Sequence, residues 1–91
     1  MIQKSVKVIN RLGMHARPSA MFVTHSSRYK SEIYIEKTGV QVNGKSIMGV
    51  MTLAAEMGSE LIITANGEDE KEAVKDLVEL VASGFGELKN L

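Results

Sequence analysis

Apolar and polar side chains alternate with period two in four stretches of the chain and recur at helical spacing in three others. Ile2, Val6 and Val8 fall on one side of the first stretch, with Gln3, Ser5 and Lys7 on the other. This predicts a half-buried strand, clearest from Lys4 to Ile9. Alternation returns at Glu32 to Lys37, where Ile33 and Ile35 share a face, and at Val40-Gln41-Val42. Thr38-Gly39 between them is a tight-turn dipeptide, so the pair predicts a hairpin. A fourth strand is expected over Glu60 to Asn66, with Leu61, Ile63 and Ala65 opposite Ile62 and Thr64.

Helical spacing places Ser19, Phe22, Val23 and Ser26 on one face of a helix from about Ala16 to Ser27. Its outward side would carry Thr24 and a solvated His25. Ser46 suits the N-cap of a short helix from Ile47 to about Ala54. A last helix is expected from Glu70 to Ser83, with Ala73, Leu77, Leu80 and Val81 as its apolar stripe and Gly84 as its C′ residue. Asp69 followed by Glu72 resembles a capping box. The order is β-α-β-β-α-β-α. Strands with one apolar face need helices on that face only. The expected class is therefore α+β: a four-stranded antiparallel sheet with three helices packed on one face. The second and third strands pair as the hairpin, and the first and fourth lie side by side.

The 91 residues allow one modest core, read as a single domain over 1–91. Eleven basic and eleven acidic side chains cancel, which argues against bulk attraction to nucleic acid or an anionic membrane. The aromatics Phe22, Tyr29, Tyr34 and Phe85 form no base-stacking motif. There is no cysteine, so a disulfide scaffold and a thiolate metal site are excluded. The N-terminal residues lack a signal-peptide layout, and no apolar run approaches the roughly 18 residues of a membrane span. The expected setting is cytoplasmic.

Candidate chemistry concentrates in Gly13-Met14-His15-Ala16-Arg17-Pro18. Pro18 is the only proline and fits the first turn of a helix, where a missing N–H costs nothing. His15 then lies at a strand-to-helix junction, where free N–H groups and the helix dipole favour an anion. An imidazole, a guanidinium and a helix start together suit a phosphoryl group; a histidine that merely caps the helix is the alternative. His15 and His25 lie ten positions apart with no evident acidic partner pattern, so no metal site is expected. Gly39 to Ser46 matches the phosphate-loop pattern G-x-x-x-x-G-K-S, but its middle alternates like a strand, and the strand Glu60 to Asn66 offers no acidic residue placed to assist magnesium. It is not read as a nucleotide site. The short helix after Ser46 carries more apolar residues than one face can bury. With Val50, Leu53 and Ala54 inward, Ile47, Met48 and Met51 are left outside, as a docking patch or else as core filler. A phosphate on Ser46 would put about −2 charge beside that patch.

These two segments, Gly13 to Pro18 and Lys45-Ser46-Ile47-Met48-Gly49-Val50-Met51, closely resemble the HPr family, the histidine-containing phosphocarriers of the bacterial phosphoenolpyruvate-dependent sugar phosphotransferase system. The resemblance covers essentially the whole chain. It implies an open-faced β-sandwich and no cofactor. It implies that His15 takes a phosphoryl group on Nδ1 from enzyme I and passes it to the A domains of sugar permeases. Arg17 would neutralise the phosphate, the Ala16 N–H would contact it, and Pro18 would start the supporting helix. Ser46 matches the site of a regulatory HPr kinase/phosphorylase. Ile47, Met48 and Met51, with Ala20, correspond to the docking patch, which a transcriptional regulator could also use. Met14 stands where leucine is frequent, and Asn43-Gly44 suggests a flexible approach to Ser46. His15 itself argues against family paralogues that lack the histidine. A nitrogen-branch phosphocarrier and a binding module controlled through Ser46 are the alternatives. A monomer forming transient complexes is expected.

Overall fold

The sheet is antiparallel throughout, in the order β1-β4-β2-β3, in a computed structural model that describes residues 1–90, with side chains through Glu87. Its strands are β1 (Ile2–Lys7), β2 (Glu32–Lys37), β3 (Val40–Asn43) and β4 (Glu60–Asn66). The helices are α1 (Ala16–Ser26), α2 (Ile47–Thr52) and α3 (Glu70–Ala82), followed by a kinked 3-10 segment, Gly84–Asn90. β1 pairs with β4 in the register Ile2 to Ala65 through Lys7 to Glu60, and β2 pairs with both β4 and β3. The element order inferred from hydrophobic period, and the open-faced β-sandwich that the family resemblance implies, are those observed.

The core lies between the sheet's inner face and the helices. Ile33, Ile35, Leu61, Ile63 and Ala65 meet Phe22, Val50, Ala73, Leu77 and Val81, all essentially excluded from solvent. Strand alternation forces this arrangement, since a slip of one residue would turn every one of those sheet side chains outward. Between β2 and β3, Thr38 and Gly39 both have positive φ, the geometry that matches the twist of a two-residue hairpin.

Several sequence-based expectations need correction. β1 ends at Lys7, because Val8 leaves the ladder to exchange hydrogen bonds with Gly58 and Ser59 (Val8 N–H to Ser59 O, 2.9 Å; Gly58 N–H to Val8 O, 2.7 Å). α2 ends at Thr52, and Ala54, with φ of 49°, points to solvent while Ala55 takes the buried place. In α3 the inner stripe is Ala73, Val74, Leu77 and Val81, with Leu80 only partly covered. Asp69 and Glu72 form no capping box. The Asp69 carboxylate instead accepts from the N–H groups of Lys30 and Ser31 and from the Ser31 hydroxyl, tying the α1–β2 loop to the start of α3. Glu70 supplies the local bond, accepting from Gly67 N–H at 3.0 Å.

Candidate functional site

The loop between β1 and α1 is set by close packing before any chemistry enters. Gly13 has φ of 65°, and a Cβ there would sit 2.3 Å from the Ala55 carbonyl oxygen. Only glycine satisfies both conditions. Met14 is buried, its N–H donates to the Ala55 carbonyl at 2.8 Å, and its carbonyl accepts from the Ser19 hydroxyl at 3.0 Å. These bonds clamp the residue before His15 to the chain just after α2. His15 is the N-cap of α1, in extended conformation (φ −74°, ψ −170°), and its carbonyl accepts from Ser19 N–H at 3.0 Å. Its side chain makes no capping bond. Pro18, buried in the first turn, has no N–H, so Ala16 and Arg17 carry the first-turn donors that an intrahelical bond cannot reach.

A residue that motif reading missed completes the cluster. Glu87 Oε2 lies 2.9 Å from His15 Nε2 and 3.4 Å from an Arg17 guanidinium nitrogen. Its other oxygen accepts from Asn10 Nδ2 at 3.0 Å, and the same Asn10 amide donates to the Gly13 carbonyl at 2.8 Å. Partial burial works against ionisation of Glu87. The hydrogen bonds from Asn10 and His15 and the charges of His15 and Arg17 outweigh it, and hold the carboxyl below its ordinary range. The imidazole is about one-third exposed and Arg17 nearly two-thirds, so an incoming group can reach both. The signal for Glu87 was the Gly84-Phe85-Gly86 run. All three residues have positive φ, Phe85 is fully buried, and the chain is turned back toward α1.

His25 is not the solvated histidine expected. Its Nδ1 lies 2.9 Å from Asp76 of α3, and both side chains are about three-quarters covered. Each histidine thus has an acidic partner, a different one in each case.

Ser46 caps α2 as expected: its Oγ accepts from Gly49 N–H at 3.0 Å. Ile47, Met48 and Met51 are exposed, at 45%, 72% and 39%, whereas Val50 and Leu53 are buried; they are therefore a surface and not core filler. Ala20 is partly buried on α1, which packs against α2. Ser46 stands at the opposite end of α2 from Ala55 and shares no hydrogen bond with the His15 cluster among the described residues. The approach to Ser46 is rigid. Gly44 N–H donates to Ile33 O at 2.8 Å, Gly44 O accepts from the Ser26 hydroxyl at 2.6 Å, and a Cβ on Gly44 would lie 2.6 Å from Ile33 Cγ2. That glycine serves close packing, not flexibility. The phosphate-loop match dissolves here, since its eight residues are a hairpin turn, all of β3 and a helix cap.

The family model described as the PTS HPr component phosphorylation site matches residues 2–83. The chain belongs to the HPr family. It is 45% identical over 87 residues to the phosphocarrier protein HPr of Neisseria meningitidis, covering 96% of this chain and 98% of that one. It is 46% identical over 81 residues to the HPr-like protein Crh of Bacillus subtilis, covering 89% and 95%. Among solved structures, an HPr from Thermoanaerobacter tengcongensis superposes with a TM-score of 0.92 at 45% identity, covering 96% of this chain and 98% of that one. A second structure of HPr from that organism is a dimer, with a TM-score of 0.76, which stands against the simple expectation of a monomer. As an HPr, the chain is a phosphocarrier of the phosphotransferase system. No helix among the described residues is long and apolar enough to cross a membrane.

Proposed function

We propose that His15 is the phosphoryl-bearing residue, accepting the group on Nδ1 from phosphorylated enzyme I and passing it to the A domains of sugar permeases. The observation that carries this reading is a half-open imidazole at the start of α1 whose Nε2 is engaged by Glu87, with Arg17 on the same carboxylate. Imidazole is a competent nucleophile toward phosphorus and a competent leaving group, so the site needs positioning and charge stabilisation more than acid–base machinery. Arg17 and the Ala16 N–H supply positive character for the phosphoryl oxygens, and Pro18 fixes the helix that presents them. Ala20, Ile47, Met48 and Met51 are proposed as the docking patch shared by donor and acceptors, which this chain would meet in transient complexes.

Incubation with phosphoenolpyruvate and purified enzyme I, followed by mass spectrometry, is expected to show one acid-labile phosphate on His15. A His15→Ala protein that still gains the phosphate would overturn the assignment.

A second reading concerns Ser46, whose hydroxyl stands beside the exposed Ile47 and Met48. A kinase/phosphorylase acting there would replace a neutral cap with about −2 charge and change which partners, among them a transcriptional regulator, accept the patch. Failure of an HPr kinase to modify Ser46 in vitro, with no phosphoserine in cell extracts, would remove that reading.

A further inference from the structure

We propose that Glu87 is a positioning residue for phosphoryl acceptance: its carboxylate holds the proton on His15 Nε2, leaves the Nδ1 lone pair free, and stabilises the ring once it bears phosphorus. The inference rests on His15 being the acceptor, as proposed above, and concerns a residue beyond the segment 2–83 that the family model matches.

An ionised carboxylate can only accept hydrogen bonds. Glu87 Oε2 at 2.9 Å from Nε2 therefore requires the proton to be on Nε2. In the neutral ring the lone pair is then on Nδ1, the nitrogen that must attack. Three further features show that the carboxylate is held in place. Its other oxygen is bound by Asn10, which is fully buried. The two acceptors around Asn10 Nδ2, Gly13 O and Glu87 Oε1, fix the orientation of that amide. Phe85, two residues earlier, is fully buried at φ of 57°, a conformation disfavoured for a side chain with a Cβ. The chain thus accepts local strain to bring Glu87 against His15.

The transfer balances without another reagent. The Nδ1 electron pair forms a bond to phosphorus as the donor's own bond to phosphorus breaks, and that bonding pair leaves with the donor. The Nε2 proton stays on the ring, which becomes cationic beside the Glu87 carboxylate. In the onward step the proton is still there, so His15 departs as a neutral imidazole.

The test uses the full chain, ¹⁵N-labelled, with Glu87→Ala and Glu87→Gln variants. In the wild type a hydrogen-bonded Nε2–H resonance of His15 is expected. In Glu87→Ala it should vanish into solvent exchange, and acceptance from phosphorylated enzyme I should slow by about tenfold or more, the scale of loss when the hydrogen-bond partner behind a metal-ligating histidine is removed. KM for enzyme I should hold, since the docking patch is untouched. Glu87→Gln keeps an acceptor without the charge and should fall between the two. A tail that merely pins the fold would lower the melting temperature and leave the rate alone. A protected Nε2–H in Glu87→Ala, or a wild-type rate in that variant, would overturn the role while leaving His15 as acceptor. Should Glu87→Ala fail to fold, a wild-type rate in Glu87→Gln would overturn it equally. A wild type that accepts no phosphate would sink both readings.

Discussion

The two histidines stand at opposite ends of α1, and each lies 2.9 Å from a carboxylate. At the last turn, His25 offers Nδ1 to Asp76, whose second oxygen accepts from the Tyr29 hydroxyl at 2.7 Å. Burial, and then the bond to Asp76, push the Tyr29 hydroxyl up to about 12. Burial works against ionisation of Asp76, yet the bonds from His25 and Tyr29 and the charges of His25 and Arg28 hold it below its usual range. This assembly is a brace that joins α1 to α3. At the first turn the same ingredients stand in the opposite field. There the helix favours an anion, Arg17 adds a cation, and Nδ1 is left for chemistry. A histidine–carboxylate pair is therefore not a site in itself. The helix end, the nitrogen left free and the neighbouring cation decide.

The largest expected contrast comes from removing each imidazole in turn. His15→Ala should abolish phosphoryl acceptance with little change in stability. His25→Ala should accept at close to the wild-type rate and lose about 1 kcal/mol of stability, the usual scale of a partly exposed charged hydrogen bond. Acceptance assays beside urea unfolding of both variants measure this. A His25→Ala protein with wild-type stability but slowed transfer would break the division between brace and site.

A smaller effect lies in acid. Asp69 is held at about 2 against 3.8, chiefly by the Ser31 hydroxyl and then by the Lys30 N–H. A carboxyl depressed in the folded state is protonated first in the unfolded chain as pH falls. Its stabilisation is complete above about 4, and drains away toward about 2. Asp76 is depressed too and contributes in the same direction. Urea midpoints should fall over that window, and Asp69→Asn should flatten the fall more than Glu68→Gln, a mostly exposed carboxylate whose ion pair is with the exposed Lys30. An unchanged acid profile in Asp69→Asn would show that this junction does not carry the loss.

The contrast between the histidines also marks how far the sequence could be read. β2 at Glu32–Lys37 and β4 at Glu60–Asn66 were legible to the residue, because period-two alternation and flanking turn residues agree there. His15, Arg17 and Ser46, the residues proposed for phosphoryl chemistry and its regulation, stand out in the sequence because their neighbours carry the signal. Glu87, Asn10 and Asp76 were not, since each acts across 50 residues or more, on His15 (Glu87), on Glu87 (Asn10) and on His25 (Asp76). Asp69 misled for a related reason: a capping residue and a loop tether look alike until the loop at Lys30 and Ser31 is seen to meet it. Gly44 looked flexible because its crowding comes from Ile33, on a strand earlier in the chain.

The smallest predicted effect compares two N-caps. His15 begins α1 without a side-chain capping bond, leaving its ring for other work, whereas the Ser46 hydroxyl is committed to Gly49 N–H. Ser46→Ala should therefore cost roughly 1 kcal/mol, the ordinary value of a serine cap, while His15 accepts phosphate at an unchanged rate. Ser46→Asp keeps a capping oxygen and adds a charge, so it should recover the lost stability. Because that charge lies next to Met48, it should also weaken the docking of an acidic partner on the patch. Titrating both variants with enzyme I by calorimetry, alongside their urea midpoints, separates the two roles. If Ser46→Ala weakens docking while Ser46→Asp, with its capping oxygen kept, does not, the cap and not the charge controls the patch, and α2 is responding to loss of its first turn.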